Sequence, residues 1–218
     1  HLSKKLPFDP IKDITPVTTI LRLSFTLVVS ASAPYNSVRD LTEALKKKPG
    51  NGTFGSSNNT GLVAGEVYKQ LAGLQTTSVP YKATPQGVID LLSGQLDFLM
   101  ADGTFVAGQL KGGKLKVLAT TGSQRNPVLP EVPTLKESGI DLVVDGWYGI
   151  YGPAGMSDAT VHVITRALEV GVAKHADFFL KNAMRGAYLR PEQLAQLQLA
   201  EAVQWEPWVK ASGFKPED

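Results

Sequence analysis

The sequence predicts an α/β protein built on a mostly parallel sheet with helices on both faces. Two features of the order of residues predict it. Short β-branched or aromatic runs alternate with helix-period segments at a repeat of roughly twenty residues, and Gly, Pro or Ser marks each junction. Composition is the third observation: 218 residues with 43% hydrophobic and 19% charged side chains can bury a core in one large lobe or two small ones.

The elements follow in order. Leu27-Val28-Val29 reads as a strand closed by Ala33-Pro34. Ser37 opens a helix, with Asp40 three residues on in a capping-box arrangement. Val38, Leu41 and Leu45 form its stripe, and Pro49-Gly50 stop it. Thr53-Phe54 starts a second strand, the stretch from Gly55 to Gly61 turns the chain, and a helix through Val63, Val67, Tyr68 and Leu71 ends near Gly73. Thr77-Ser78-Val79 is the next strand. Thr84 reads as an N-cap with Pro85 at the first helical position, ahead of Val88, Leu91 and Leu92, and Gly94 closes the helix. Phe98-Leu99-Met100 is a strand, Phe105 to Leu110 a short helix, and Leu115 to Ala119 another strand.

Beyond Gly122 the texture changes. Pro127, Pro130 and Pro133 make Arg125 to Pro133 an extended crossing segment. Leu142 to Tyr151 reads as a strand ended by Gly152-Pro153, and Ser157 caps a long helix with Val161, Ile164, Leu168 and Val172 on one face. The last helix starts at Pro191 and runs through Leu194, Leu197 and Trp205, with Pro207 expected to kink it or end its regular part. One strand is too few to make a sheet, so this tail reads as part of a second lobe.

Charge and motif content remove several functions. With 22 basic against 20 acidic residues the net charge of +2 is too small and too scattered for a nucleic-acid track. The Lys46-Lys47-Lys48 run falls at a helix end, where cations offset the dipole. The absence of Cys removes thiol catalysis, Cys-based zinc sites and disulfides, and fits a compartment where stray thiols are a liability. No apolar run approaches the ~20 residues that cross a bilayer, so direct membrane insertion is not expected. The opening His1 to Lys5 lacks the apolar stretch and small-residue cleavage site of a signal peptide. HExxH, GxSxG, GxxxxGK[ST] and GxGxxG are all missing. His162 and His175 read as surface or packing residues. Asp97 and Asp102, five apart across a strand end, make a weak acid/base pair. The expectation is no catalysis, no metal and no cofactor.

The Gly55-Ser56-Ser57-Asn58-Asn59-Thr60-Gly61 stretch between a strand and a helix stands apart. Small residues there admit a ligand to the backbone, the helix N-terminus supplies free N–H groups, and Ser, Asn and Thr add neutral donors without a competing anion. That set suits a carboxylate or another small anion; it also describes a well-capped turn with no ligand. Other strand ends carry Tyr81-Lys82 and Asp102 with Thr104, and ligands of open α/β sheets bind at such ends. Trp147 and Tyr148 offer ring faces for either stacking or packing.

An ordered series of segments runs from Leu6-Pro7-Phe8-Asp9-Pro10 and Thr15-Pro16-Val17 through Ser37-Val38-Arg39-Asp40-Leu41, Lys48-Pro49-Gly50, Phe54-Gly55-Ser56-Ser57, Ala64-Gly65-Glu66 and Val79-Pro80-Tyr81-Lys82. It continues at Gly113-Lys114-Leu115, Leu129-Pro130-Glu131-Val132-Pro133-Thr134, Glu137-Ser138-Gly139, Gly146-Trp147 and Gly152-Pro153-Ala154-Gly155. Taken in order, the series resembles the Bug/TctC family, the extracytoplasmic solute receptors of tripartite tricarboxylate transporters. The resemblance implies a periplasmic binding protein type II-like, two-lobed receptor. Such a receptor closes on a small organic acid and delivers it to a membrane permease, with the Gly55-Ser56-Ser57 turn and the strand end at Asp102 facing the cleft. On this reading residues 1–25 are the first crossing segment, 26–122 the βαβ ligand-binding lobe, and 123–218 the C-terminal part of lobe one. The expected binding set is Gly55, Ser56, Ser57, Asn58, Asn59, Thr60, Tyr81, Asp102, Thr104 and Trp147.

Three departures bear on the expectation. The family's leading third, with its signal peptide and first strands, has no counterpart here. The turn from Ser57 to Ala64 is about two residues short and carries Leu62-Val63 where a His is frequent. Met184 to Arg190 is compressed, and Pro207 interrupts the last helix. The sequence therefore reads as a fragment, or as a chain that pairs through its C-terminal part with itself or with a missing piece. The alternative function is a non-transport interaction or sensory protein that kept the fold with an incomplete pocket.

Overall fold

A computed structural model describes residues 6–48, 50 and 52–211. The expected helix stop at Pro49 and the opening His1 to Lys5 lie outside the described residues. The chain divides into two compact units, the first comprising 1–22, 147–181 and 185–218, the second 23–146 and 182–184.

The second unit carries a five-stranded sheet in the order β3-β2-β4-β1-β5, from β1 (Ile14–Ser30, of which this unit holds the part from Leu23), β2 (Thr53–Ser56), β3 (Thr77–Pro80), β4 (Phe98–Asp102) and β5 (Leu115–Thr120). β2 pairs parallel with β3 and β4, with Phe54 beside Ser78 on one side and Phe98 on the other. The expected parallel arrangement holds for four strands; β1 runs against them, antiparallel to β4 and β5, with Leu27 opposite Met100 and Ala119. Leu27, Val28 and Val29 are all fully buried. A continuous apolar run marks a central strand but says nothing about its direction.

Helices α1 (Val38–Lys46), α2 (Asn59–Leu71), α3 (Thr84–Leu92) and α4 (Gly103–Gln109) complete the βαβ pattern. Ser37 caps α1 as expected, accepting from Asp40 N–H at 3.0 Å, while the Asp40 carboxylate reaches back to Asn36 N–H, also at 3.0 Å. Phe54 stacks on Phe98 at 5.2 Å between centroids, and Tyr68 of α2 meets Phe98 edge-on at 5.5 Å. Gly65 brings α2 onto β2 so closely that a side chain there would fall into the Phe54 ring. The Tyr68 hydroxyl is paired with Thr42 at 2.8 Å, and burial pushes its pKa up to about 12.

The segment after Gly122 belongs to this unit and is not a crossing segment. Thr134 bridges Thr120 in parallel, Val144 N–H donates to Thr121 O (2.8 Å), and Thr121 Oγ1 donates back to Val144 O (2.6 Å). Leu135, Leu142 and Val144 are buried. The continuous stretch of this unit therefore runs to Gly146, whereas sequence patterning sets a boundary near 122. The prolines do break regular structure, but at the end of the run Pro133 O accepts from Thr120 N–H and Leu135 N–H donates to Thr120 O, on the edge of β5.

In the first unit, β6 (Asp145–Pro153) and β7 (Met184–Gly186) both pair with β1, and Ala187 N–H donates to Ile20 O at 3.1 Å. Ile14 to Phe25 of the expected first crossing segment thus lie in β1. Helix α5 (Asp158–Lys174) is capped by Ser157, which accepts from Thr160 N–H at 3.2 Å. A short α6 (Ala176–Lys181) and a long α7 (Pro191–Ala211) follow. Pro207 does not end α7. Its missing N–H costs a backbone bond near the last turn, where Trp205 and Trp208 pack edge-on at 6.1 Å and Val209 is buried. Among the described residues no helix is long and apolar enough to cross a membrane.

Candidate functional site

At one edge of the second unit's sheet, three parallel strands end and each hands the chain to a helix. β2 leads into α2, β3 into α3 and β4 into α4. Ser56, the last residue of β2, is 3% exposed and sits in register with Pro80 and Met100. Tyr81 N–H donates to Ser56 O at 2.8 Å, extending the β2–β3 pairing one residue past the strands. The strand ends at Ser56, Tyr81 and Asp102 therefore share one edge.

The expected long turn is shorter. Gly55 and Ser56 belong to β2 and Asn59 to Gly61 to α2, which leaves Ser57-Asn58 as the connection. Asn58 is the N-cap, its Oδ1 accepting from Gly61 N–H at 2.8 Å. The α2 N–H groups of Asn59 and Thr60 open the helix, where no intrahelical acceptor exists for them. Neither α2 nor α3 has an acidic residue in its first turn, so nothing there competes for an anion. The two glycines serve packing: a Cβ on Gly55 would meet Leu96 and Leu99 at 2.7 and 2.8 Å, and one on Gly61 would meet Met100 O at 2.9 Å.

Thr84 is not the N-cap that its place before Pro85 suggests. Ala83 occupies that position without a side-chain bond, and Thr84 is already helical. Its hydroxyl instead lies 2.7 Å from Ser57 Oγ on the neighbouring connection. Local chemistry favours a Thr-Pro cap; only the β3–β2 adjacency, a long-range fact, puts this hydroxyl beside Ser57.

Tyr81 is committed to the protein. Its hydroxyl donates to Asp90 Oδ2 at 2.7 Å and its ring lies within 3.0 Å of a Cβ position on Gly55. Burial, with the Asp90 carboxylate alongside, pushes its pKa up to about 12. Asp102 caps α4, accepting from Thr104 N–H at 2.7 Å, and supplies the negative charge of this edge. Asp97 lies at the other end of β4, accepting from Thr53 N–H (2.9 Å) and paired with Lys48 (3.5 Å), so the two aspartates do not form a pair. Trp147 belongs to the first unit, where its indole N–H donates to Glu201 Oε2 at 2.6 Å. His162 is exposed on α5 and His175 is that helix's C-cap. Among the described residues no three His, Cys, Asp or Glu gather in a way that could hold a metal ion.

Residues 1–214 match the model of the tripartite tricarboxylate transporter family receptor, TctC. The chain belongs to that family. It is 31% identical over 206 residues to the UPF0065 protein in the gbd 5′ region of Cupriavidus necator, a match that covers 93% of this chain and 62% of that protein. It is 24% identical over 220 residues to protein BugT of Bordetella pertussis, covering 98% of this chain and 67% of BugT. Among solved structures, R. palustris Rpa4515 with adipate superposes with a TM-score of 0.87 at 26% identity, over 97% of this chain and 73% of that one. MatC from Rhodopseudomonas palustris with bound malate gives 0.77 at 25%, over 95% and 74%. The chain thus spans less than two thirds of the length of the Cupriavidus relative. The TctC family consists of periplasmic receptors rather than enzymes; they bind small carboxylates and work with transporter membrane components.

Proposed function

We propose that this chain captures a small organic carboxylate in the periplasm and presents it to the membrane permease of a tripartite tricarboxylate-type transporter. The observation that carries the reading is the sheet edge where α2 and α3 begin side by side without an acidic residue in either first turn. Carboxylate oxygens there would accept from the Asn59 and Thr60 N–H groups and from the hydroxyls of Ser57 and Thr60. Gly55 and Ser56 set the height of the connection, Asn58 holds the helix start, and Tyr81 supports the turn from below through its ring. Asp102 and Thr104 border the site, and the Asp102 charge would turn away an acid placed too close to α4.

The adipate and malate in the two solved relatives support a mono- or dicarboxylate as the ligand class. Native mass spectrometry of the purified chain with adipate, with malate and with their neutral diamides tests the proposal. Retention of one acid per chain and of no diamide is the expected result, and Ser57→Ala and Thr60→Ala should each weaken binding by ~1–3 kcal/mol. Equal retention of acids and diamides, or of neither, overturns it. The same spectra report whether the chain pairs with itself.

A further inference from the structure

We infer that Thr84 is a positioning residue of the carboxylate site, and that the Ser57–Thr84 hydroxyl pair presents one fixed O–H donor to the ligand. The inference rests on the receptor reading for its ligand, though its geometry stands apart from it. The two oxygens are 2.7 Å apart and half-buried, on segments 27 residues apart in sequence. One proton lies between them. The hydroxyl that accepts it keeps its own proton, and neither oxygen has another protein partner among the described residues. One O–H donor is therefore left over at the sheet edge, whichever of the two hydroxyls carries it.

Two consequences follow from the chemistry. A lone serine hydroxyl samples three rotamers, whereas a paired one is held in one, so the entropy of ordering it is met in the unliganded protein. The pair also ties the β2–α2 connection to the first turn of α3. The N–H groups of Asn59 and Thr60 are thereby fixed relative to the start of α3. This explains why Thr84 leaves the α3 N-cap to Ala83, which makes no side-chain bond. The left-over donor faces no first-turn carboxylate on α2 or α3, and its natural acceptor is an anionic oxygen.

The test uses the whole chain and the variants Thr84→Val, Thr84→Ser and Ser57→Ala, with adipate and malate as probes. Thr84→Val keeps the shape and removes the hydroxyl, and should weaken carboxylate affinity about 5- to 10-fold, while Thr84→Ser stays within about 2-fold of the parent. Adding Ser57→Ala to Thr84→Val should cost little more than Ser57→Ala alone, because the two hydroxyls act as a unit. Without ligand, amide exchange across Ser57 to Gly61 should quicken in Thr84→Val and return to the parent rate in Thr84→Ser. Parent-like exchange in Thr84→Val overturns the positioning role. Parent-like affinity with quickened exchange overturns the donor. A parent chain that binds neither acid overturns the receptor reading, and the exchange rates then still decide whether Thr84 holds the connection.

Discussion

The two units of this chain are built from similar element types and bury them very differently. In the second unit both faces of the sheet are covered, and Phe54, Phe98, Tyr68, Leu99 and Met100 are essentially inaccessible. In the first, Val17, Leu21, Val161, Leu194 and Val209 are the buried apolar side chains among the described residues, while Val163, Val170, Leu180, Leu199 and Val203 are exposed on its helices. Its buried threonines bond to backbone instead: Thr18 to Leu189 O and Thr19 to Ala187 O, each at 2.8 Å, and Thr165 to Val17 O at 3.1 Å. One unit is thus held by a close-packed core and the other by hydrogen bonds along β1, which contribute much less each.

The sharpest way to break that contrast is to empty the core of the second unit. Phe54→Ala removes the stack on Phe98 and the surface that Gly65 packs against, and should cost about 3–5 kcal/mol. Denaturant unfolding measures it; a loss near 1 kcal/mol would mean that the core closes over the gap and is less tightly packed than its geometry indicates. A smaller effect is expected at the sheet edge. Asn58→Ala frees the Gly61 N–H and should destabilise the start of α2 by about 1 kcal/mol, seen in thermal unfolding without ligand. No change there would show that the first turn of α2 is held by its contact with β4 alone.

How much of this was legible in the sequence follows from the same contrast. The helices of the second unit announce themselves because local signals suffice: Ser37 before Val38, Leu41 and Leu45, or Gly94 at φ +80° after α3. β1 was legible only at Leu27 to Val29. Its other buried positions include Thr18, Thr19 and Thr26, polar residues that enter a core because distant carbonyls accept from them, as Ala101 O does from Thr26 Oγ1 at 3.0 Å. Such partners are invisible to periodicity. The place of the segment from 123 to 146 is hidden for a related reason, since prolines report that regular structure stops but not where the chain then packs. At the candidate site, the residue types from Ser57 to Thr60 were readable as donors, and the Ser57–Thr84 pair was not, because it depends on strand order.

A third test addresses the exposed helices of the first unit. Val163 is 66% exposed on α5, and Val163→Ser should change stability by less than about 0.5 kcal/mol at low protein concentration. A larger loss that grows with concentration would show that this face is covered by another copy in solution, and the poverty of the unit's core would then be a property of the single chain only.

The smallest expected effect lies in the segment that sequence patterning placed outside the second unit. Thr134 N–H donates to Glu137 Oε2 at 2.7 Å, Glu137 N–H donates to Thr134 Oγ1 at 3.0 Å, and the Arg125 guanidinium Nε reaches both carboxylate oxygens at 3.1 and 3.0 Å. The Thr134 N–H first, and Arg125 second, hold the Glu137 carboxyl below its ordinary value of 4.5. A carboxyl lowered on folding adds stability that is complete above its unfolded value and is lost as pH falls through the lowered, folded one. The difference in thermal midpoint between pH 7 and pH 3 should therefore be smaller in Glu137→Gln than in the parent, because the variant has no carboxyl to protonate as the pH falls. Because the group is exposed, the shift should also shrink in high salt. An unchanged pH dependence in Glu137→Gln would mean that the reciprocal Thr134–Glu137 bonds follow the packing of Leu135 and Leu142 and do not anchor it, leaving the hydrophobic contacts to fix this segment to the sheet.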